Sequence, residues 1–450
     1  MRIKNLLLGS LALLWAMAAQ AQEKKPLSLD EAISLAVTNS TEAGLAETRV
    51  ATAALEVTDV KNNVYPDFKI SGQYMRLNQP NVKLRVPIEG SEEPAEGDEA
   101  STSPEVNSIL FGQANLTMPL FSGYRLKNSI AASESILKAQ QYNAASIKER
   151  LAMQTIVLYV NLYKAQQSIA LMQENLKSAN QRVTDFTAME QNGLLARNDL
   201  LRSQLQVSNI QLLLDEARKT VSTLNYQLVT LLKLPEGTVI EPGDAYFKNA
   251  GQLTSAITTA DAIAQRSDLE ALRWQQKAQE ANVQIARADY YPSIALTGGY
   301  VALDIQNFVQ VYNAVNVGIG VSYDISNIFK NNTRVKAAKS RAEETRHESE
   351  ILSDRIKVQV QEALENYNLS LKQNRVYAQA VEQAGENYRI VNDKYENGLS
   401  DTNDLLEADV QQLQARLNEA FSKADITQRY YELLNASGKL TNSFNLTSNN

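Results

Sequence analysis

The chain has 450 residues with 18 glycines, 10 prolines, no cysteine and a formal charge of −7. Net acidity argues against a nucleic-acid partner, and the missing cysteines exclude both disulfide staples and a lipidated N-terminal cysteine. Glycine and proline are few and clustered, which disfavours a string of compact globules and favours long uninterrupted helices.

Residues 1–21 read as a cleaved signal peptide. Arg2 and Lys4 precede an apolar run from Leu6 to Ala19, and Ala19-Gln20-Ala21 offers a small-residue cleavage site. Loss of Arg2 and Lys4 takes the charge from −7 to −9. No later segment is apolar enough for a transmembrane helix, so any span of a membrane must be a β-barrel.

A first repeat is expected over 22–234. Period-two alternation marks strands at about 67–77 (Phe68, Ile70, Gly72, Tyr74, after Tyr65-Pro66) and 109–118 (Leu110, Gly112, Ala114, Leu116, Met118, before Pro119). Between them lies an acidic run from Glu89 through Glu93 and Asp98 to Glu105, expected as a solvated surface loop. Residues 124–233 then read as a helical hairpin with its tip near 193. Its apolar stripe, including Leu151, Leu158, Leu162, Ala165, Ile169 and Phe186, advances by alternating steps of three and four. One helix over 124–192 is about 100 Å long, more than a compact domain holds.

A connector follows at 235–262. With Leu27–Val37 and the C-terminal tail 439–450, it is expected to form a small mixed belt around the helices. The second repeat occupies 263–438, with strands at about 293–302 and 311–323. Its hairpin is expected over 328–436, tip near 398, with a stripe that in its second arm reads Leu406, Val410, Leu413, Leu417.

The duplication is plainest at the tips. Asn192-Gly193-Leu194-Leu195-Ala196-Arg197-Asn198-Asp199-Leu200-Leu201 recurs 205 residues on as Asn397-Gly398-Leu399-Ser400-Asp401-Thr402-Asn403-Asp404-Leu405-Leu406, identical at seven of ten positions. The fold class is therefore mainly α with a transmembrane β part. Duplicated coiled-coil hairpins form an α-barrel, and four strands per chain are too few to close a β-barrel alone. Two copies give eight strands and a filled interior, whereas three give twelve and an open lumen.

Nothing in the sequence assembles a catalytic site, a cofactor pocket or a metal site. The single histidine, His347, lies in a charged helical stretch, and no phosphate-binding glycine loop or metal-ligand spacing occurs. The tips carry more information. Gly193 and Gly398 suit the left-handed residue that ends a helix, and Asn198, Thr402 or Asn403 are candidate caps of the next. Asp199 and Asp404 then fall in a first turn, where the helix dipole favours an acid. Asp404 and Glu407, three apart, share a helix face, so copies around an axis would stack acidic rings that favour cations. The first repeat has Asp199 and Arg202 at these places.

The signal peptide, the two repeats, the Tyr-Pro openings, Pro119-Leu120-Phe121-Ser122-Gly123 and Tyr395-x-x-Gly398-Leu399 together resemble the TolC-type outer-membrane efflux protein family over roughly Leu27 to Leu440. The resemblance implies a homotrimer in outer-membrane lipid, with a twelve-stranded barrel continued by a helical tunnel in the periplasm of a Gram-negative type bacterium. It implies an exit duct for a tripartite efflux or type I secretion system, working with a periplasmic adaptor and an inner-membrane pump, without cofactor or metal. Asp404 and Glu407 match the family's acidic pore constriction, and Tyr395 and Asp199 the positions that tether neighbouring coils when closed. The tip residues Gly193, Leu194, Gly398 and Leu399 fall where the adaptor docks. The alternative is a periplasmic coiled-coil adaptor or structural protein that never enters the membrane.

Overall fold

A computed structural model describes residues 24–78, 106–243, 245–248 and 259–444. The expected signal peptide, the acidic run ending at Glu105, part of the connector and the end of the tail lie outside the described residues.

In chain order the elements are β1 (Lys24–Leu27), α1 (Leu29–Asn39), α2 (Thr41–Asn62), β2 (Asp67–Arg76), β3 (Ser108–Ser122), α3 (Arg125–Gln191) and α4 (Arg197–Leu232). There follow β4 (Val239–Pro242), α5 (Ala245–Lys248), α6 (Thr259–Gln265), α7 (Ser267–Arg287), β5 (Ser293–Ile305), β6 (Val309–Ser322), α8 (Asn327–Glu396), α9 (Thr402–Ala436) and α10 (Leu440–Ser443). Among the described residues no helix is long and apolar enough to cross a membrane. The chain divides into two compact units that cut across the sequence repeats: one holds residues up to Val50, Ala139–Leu272 and Glu348 onward, the other Ala51–Lys138 and Arg273–His347.

The first unit is built on helices. Its main core gathers Leu29 and Ile33 of α1, Ile156 and Tyr159 of α3, Leu228 and Leu232 of α4 and Leu434 of α9, all buried. Strand β1 pairs in parallel with β4. Buried Tyr159 holds this belt to α3: its hydroxyl donates to the Leu27 carbonyl at 2.7 Å and accepts from the Gly243 amide at 2.8 Å. Asn225 clamps β4 to α4 by donating to the Thr238 carbonyl and accepting from the Ile240 amide, both at 2.8 Å. A buried tyrosine must find partners for its hydroxyl, and here they are the backbone groups of the added strands.

In the second unit β2, β3, β5 and β6 form one antiparallel sheet in that order. Directly paired residues share a face, so register decides what each face carries. Phe68, Leu116, Gly298 and Val317 align across the sheet, as do Ile70, Ala114, Tyr300 and Val315. The opposite face carries Lys69, Asn115, Gly299 and Asn316, and beside them Thr117 and Thr297. One face is thus apolar and the other is hydroxyl- and amide-lined. Among the described residues nothing covers the apolar one: Ile70 is 76% exposed and Val317 79%.

Strand β3 runs on past Pro119, where the sequence pattern ends it, to Ser122. Its register with β5 shifts between Pro119 and Phe121, which accommodates a residue with no amide to donate. The following turn places both Gly123 and Tyr124 at positive φ, 61° and 65°. A Cβ on Gly123 would lie 2.5 Å from the Ala288 carbonyl oxygen, so close approach as well as φ requires glycine. The second repeat makes the corresponding turn without glycine, because the Asp324 carboxylate accepts from the Ser326 amide at 3.0 Å and hydroxyl at 2.6 Å. Asp289, ahead of β5, accepts from Arg125 at the start of α3 and from Arg334 of α8, joining the two strand-to-helix passages.

Candidate functional site

Both tips are built the same way. Gly193 and Gly398 have φ of 72° and 71°. The Gly193 amide donates to the Glu190 carbonyl at 3.0 Å and the Leu194 amide to Met189 at 2.8 Å; Gly398 donates to Tyr395 at 3.0 Å and Leu399 to Lys394 at 2.8 Å. These paired bonds are a Schellman ending, which satisfies the last carbonyls of α3 and α8. Asn192 and Asn397 each add a side-chain bond of 2.7 Å to the carbonyl four residues back. Leu194 and Leu399 are left 74% and 77% exposed.

The helix starts differ from the expected caps. The cap of α4 is Ala196, which makes no side-chain bond, and Asn198 is already inside the helix. The cap of α9 is Asp401, whose carboxylate accepts from the Asp404 amide at 2.9 Å; Thr402 and Asn403 follow it within the helix. Each helix starts one or two residues earlier than the sequence pattern allowed, and only at Asp401 does the cap residue offer a side-chain oxygen to the first turn.

Between the turns lies a small core of Phe186, Leu200 and Leu405, with Val183, Leu195, Tyr388 and Tyr395 against it. Tyr395 packs its ring on Phe186, centroids 5.8 Å apart, while Asp199 faces Arg202 on its own helix at 3.7 Å. Among the described contacts within one chain, Tyr395 and Asp199 do not meet.

Charge separates the two tips. In the first, Glu190 faces Arg197 at 3.6 Å and Asp199 faces Arg202. In the second, Asp404 accepts from the Ser400 hydroxyl at 2.8 Å and Glu407 from the Gln411 amide at 3.1 Å, and neither has a salt bridge among the described residues. Both are exposed. Their face continues along α9 as Gln411 and Gln414, exposed amides without charge.

Just behind the tips is a cluster that the sequence pattern did not reveal. Asp409 of α9 is 4% exposed and pairs with Arg182 of α3, 9% exposed, at 3.0 Å. Its carboxylate also accepts from Asn175 of α3 at 3.1 Å and Gln206 of α4 at 3.2 Å, and Arg182 donates to the Tyr388 hydroxyl of α8 at 3.3 Å. All four long helices share this cluster. It also corrects the stripe of α9: the heptad pattern chose Leu406 and Val410, whereas Leu405 and Asp409 are buried and Val410 is 54% exposed. An acid on the inward position shifted the apparent phase by one residue, and its partner Arg182 stands one step off the α3 stripe, beside Val183.

The model of outer membrane efflux proteins matches residues 32–232 and 259–439, most of the chain and both repeats. The chain belongs to the outer membrane efflux protein family. Outer membrane efflux protein BepC of Brucella suis biovar 1 (strain 1330) is 25% identical over 411 residues, covering 89% of this chain and 87% of that protein. Nodulation protein T of Rhizobium leguminosarum bv. trifolii is 25% identical over 368 residues, 80% of this chain and 74% of that one. The CmeC outer membrane channel of Campylobacter jejuni has the same fold, with a TM-score of 0.77 at 18% identity over 92% of this chain and 86% of CmeC. The open state of the Neisseria gonorrhoeae MtrE channel superposes with a TM-score of 0.72, again at 18% identity, over 92% of this chain and 89% of MtrE. This family member is accordingly an outer-membrane exit duct for efflux, with its helices in the periplasm of a Gram-negative cell. The alternative of a periplasmic adaptor outside the membrane is not favoured by these matches.

Proposed function

We propose that the efflux protein works as a homotrimer whose three sheets close a twelve-stranded barrel and whose second hairpin tips form an acidic gate. The sheet supports the first part. Its edge strands β2 and β6 have no further partner among the described strands, and its uncovered apolar face is suited to lipid. Closing an amphipathic sheet turns that face outward and the Asn115, Thr297 and Asn316 face onto the lumen.

The gate rests on one observation: the acids of the first tip have arginine neighbours, while Asp404 and Glu407 of the second do not. Three pairs of uncompensated carboxylates around one axis make a cation-favouring constriction. Tyr395 and Asp199 act between neighbouring chains as tethers of the closed state, since they do not meet within one. The exposed Leu194 and Leu399, held out by the glycine turns, offer apolar knobs to a periplasmic adaptor that couples the duct to an inner-membrane pump. Neither a cofactor nor catalysis enters this reading.

Planar-bilayer conductance tests it. Replacing Asp404 and Glu407 with alanine should lower the cation-to-anion permeability ratio severalfold while the channel still inserts. An unchanged ratio would remove these two residues from the constriction.

A further inference from the structure

The helix-bearing end of the sheet carries a ring of exposed aromatic side chains: Tyr65, Tyr124, Tyr291, Tyr323 and Phe329. Phe121, Tyr124 and Tyr291 are joined edge to face, with centroids 5.4 and 6.2 Å apart. Tyrosines at a strand end mark where a barrel leaves the hydrocarbon for the headgroup layer. In this family that end faces the periplasm.

The charges beside the ring run against the acidity of the chain. Residues 327–341 contain five bases and no acid, and residues 125–133 contain Arg125 and Lys127 and no acid. Some bases are structural: Arg125 and Arg334 bond Asp289, and Lys61 pairs with Glu134 at 2.7 Å. Four others within a few turns of the strand ends, Lys127, Arg287, Lys330 and Lys336, are exposed and form no salt bridge among the described residues, and of these Lys330 is near enough to Asp324 to help hold its carboxyl below the usual value. At about 1.5 Å per residue, Lys330 and Lys336 stand roughly 5 and 14 Å from the start of α8, and Lys127 about 3 Å from the start of α3. Their flexible stems can carry the charges back toward the aromatic ring.

We propose that this collar of four bases binds the anionic phospholipid headgroups of the periplasmic leaflet, through their phosphates, in preference to zwitterionic ones. The proposal rests on the membrane-inserted reading of the sheet. Charge complementarity selects the occupant. A cationic ring beside an aromatic belt gains from each negative headgroup within a Debye length, about 10 Å at 0.1 M salt. A free phosphate would gain the charge contact but not the apolar contact of Phe329 and the tyrosines with acyl chains.

The test uses the full-length mature protein in detergent, offered equal amounts of phosphatidylglycerol and phosphatidylethanolamine with matched chains, and reads bound lipid by native mass spectrometry. Wild type should retain phosphatidylglycerol at least about tenfold over phosphatidylethanolamine, and 10 mM inorganic phosphate should not displace it. Lys127→Gln, Arg287→Gln, Lys330→Gln and Lys336→Gln combined should bring the ratio near unity, whereas arginine at the three lysine positions should preserve it. Equal retention by wild type, an unchanged ratio in the glutamine variant, or displacement by phosphate would overturn the proposal. Flotation with pure phosphatidylethanolamine vesicles separates the two readings: failure of wild type to float counts against membrane insertion, while flotation without lipid preference counts against the collar alone.

Discussion

Removing the Asp409 carboxylate should loosen the hairpin tips more than any surface change nearby. In Asp409→Ala, the Arg182 guanidinium stays 9% exposed and loses its ion pair at 3.0 Å, keeping only the Tyr388 hydroxyl at 3.3 Å. Asn175 and Gln206 lose an acceptor at the same time. Stranding one member of a buried pair costs about 3–5 kcal/mol. Because the cluster joins all four long helices, the cost falls on local opening behind the tips. Amide hydrogen exchange in α3, α4 and α9 around Arg182, Gln206 and Asp409 should therefore rise by about two to four orders of magnitude, at 1.36 kcal/mol per factor of ten. The double substitution Arg182→Met with Asp409→Leu removes both charges and refills the space, so exchange should return to within about tenfold of wild type. Exchange in Asp409→Ala within threefold of wild type, or a double variant as loose as the single, would refute the assignment of this pair as the bond between hairpins.

Three further outcomes follow from the geometry. Val317→Lys should block insertion into vesicles, at a cost of about 2–4 kcal/mol per chain near the bilayer midplane, while Asn316→Lys on the other face should still insert; flotation reads both. Gly398→Ala has open space for its Cβ but φ of 71°, so it should cost only about 1–2 kcal/mol and show as faster proteolytic nicking at the tip. Gly123→Ala meets the Ala288 carbonyl at 2.5 Å and should lower the thermal midpoint far more. Burial would raise the Asp268 carboxyl, but the hydrogen bonds and charge of Arg266 outweigh it and hold the pKa below the usual carboxylate value. Its stabilisation is thus complete above about pH 4 and fades as pH falls through the lowered value, so Asp268→Asn should flatten the loss of thermal stability as pH falls below about 4.

Where the sequence was readable, a strict period made it so. Helices of tens of residues without proline repeat their stripe often enough to survive a misplaced residue, and Leu151, Leu162 and Phe186 are buried where the α3 pattern puts them. Glycine at the two tips was legible because a positive φ leaves few alternatives. The caps were not, since Asp401 precedes several residues with equal capping chemistry and only the turn geometry chooses among them. The Arg182–Asp409 pair was hidden for another reason. A charged residue one step from an apolar stripe looks solvated until its partner is known, and that partner lies 227 positions away.

By itself, then, the sequence determined the local elements and the unequal charge of the two tips, because each depends on residues close together in the chain, and the duplication, because the same local pattern is written twice. Only the tertiary structure decided which sheet face is apolar from edge to edge, which tip acids have arginine neighbours and which five side chains bind the hairpins together. Those features depend on register and on packing between distant segments, where a shift of one residue turns a side chain to the other face.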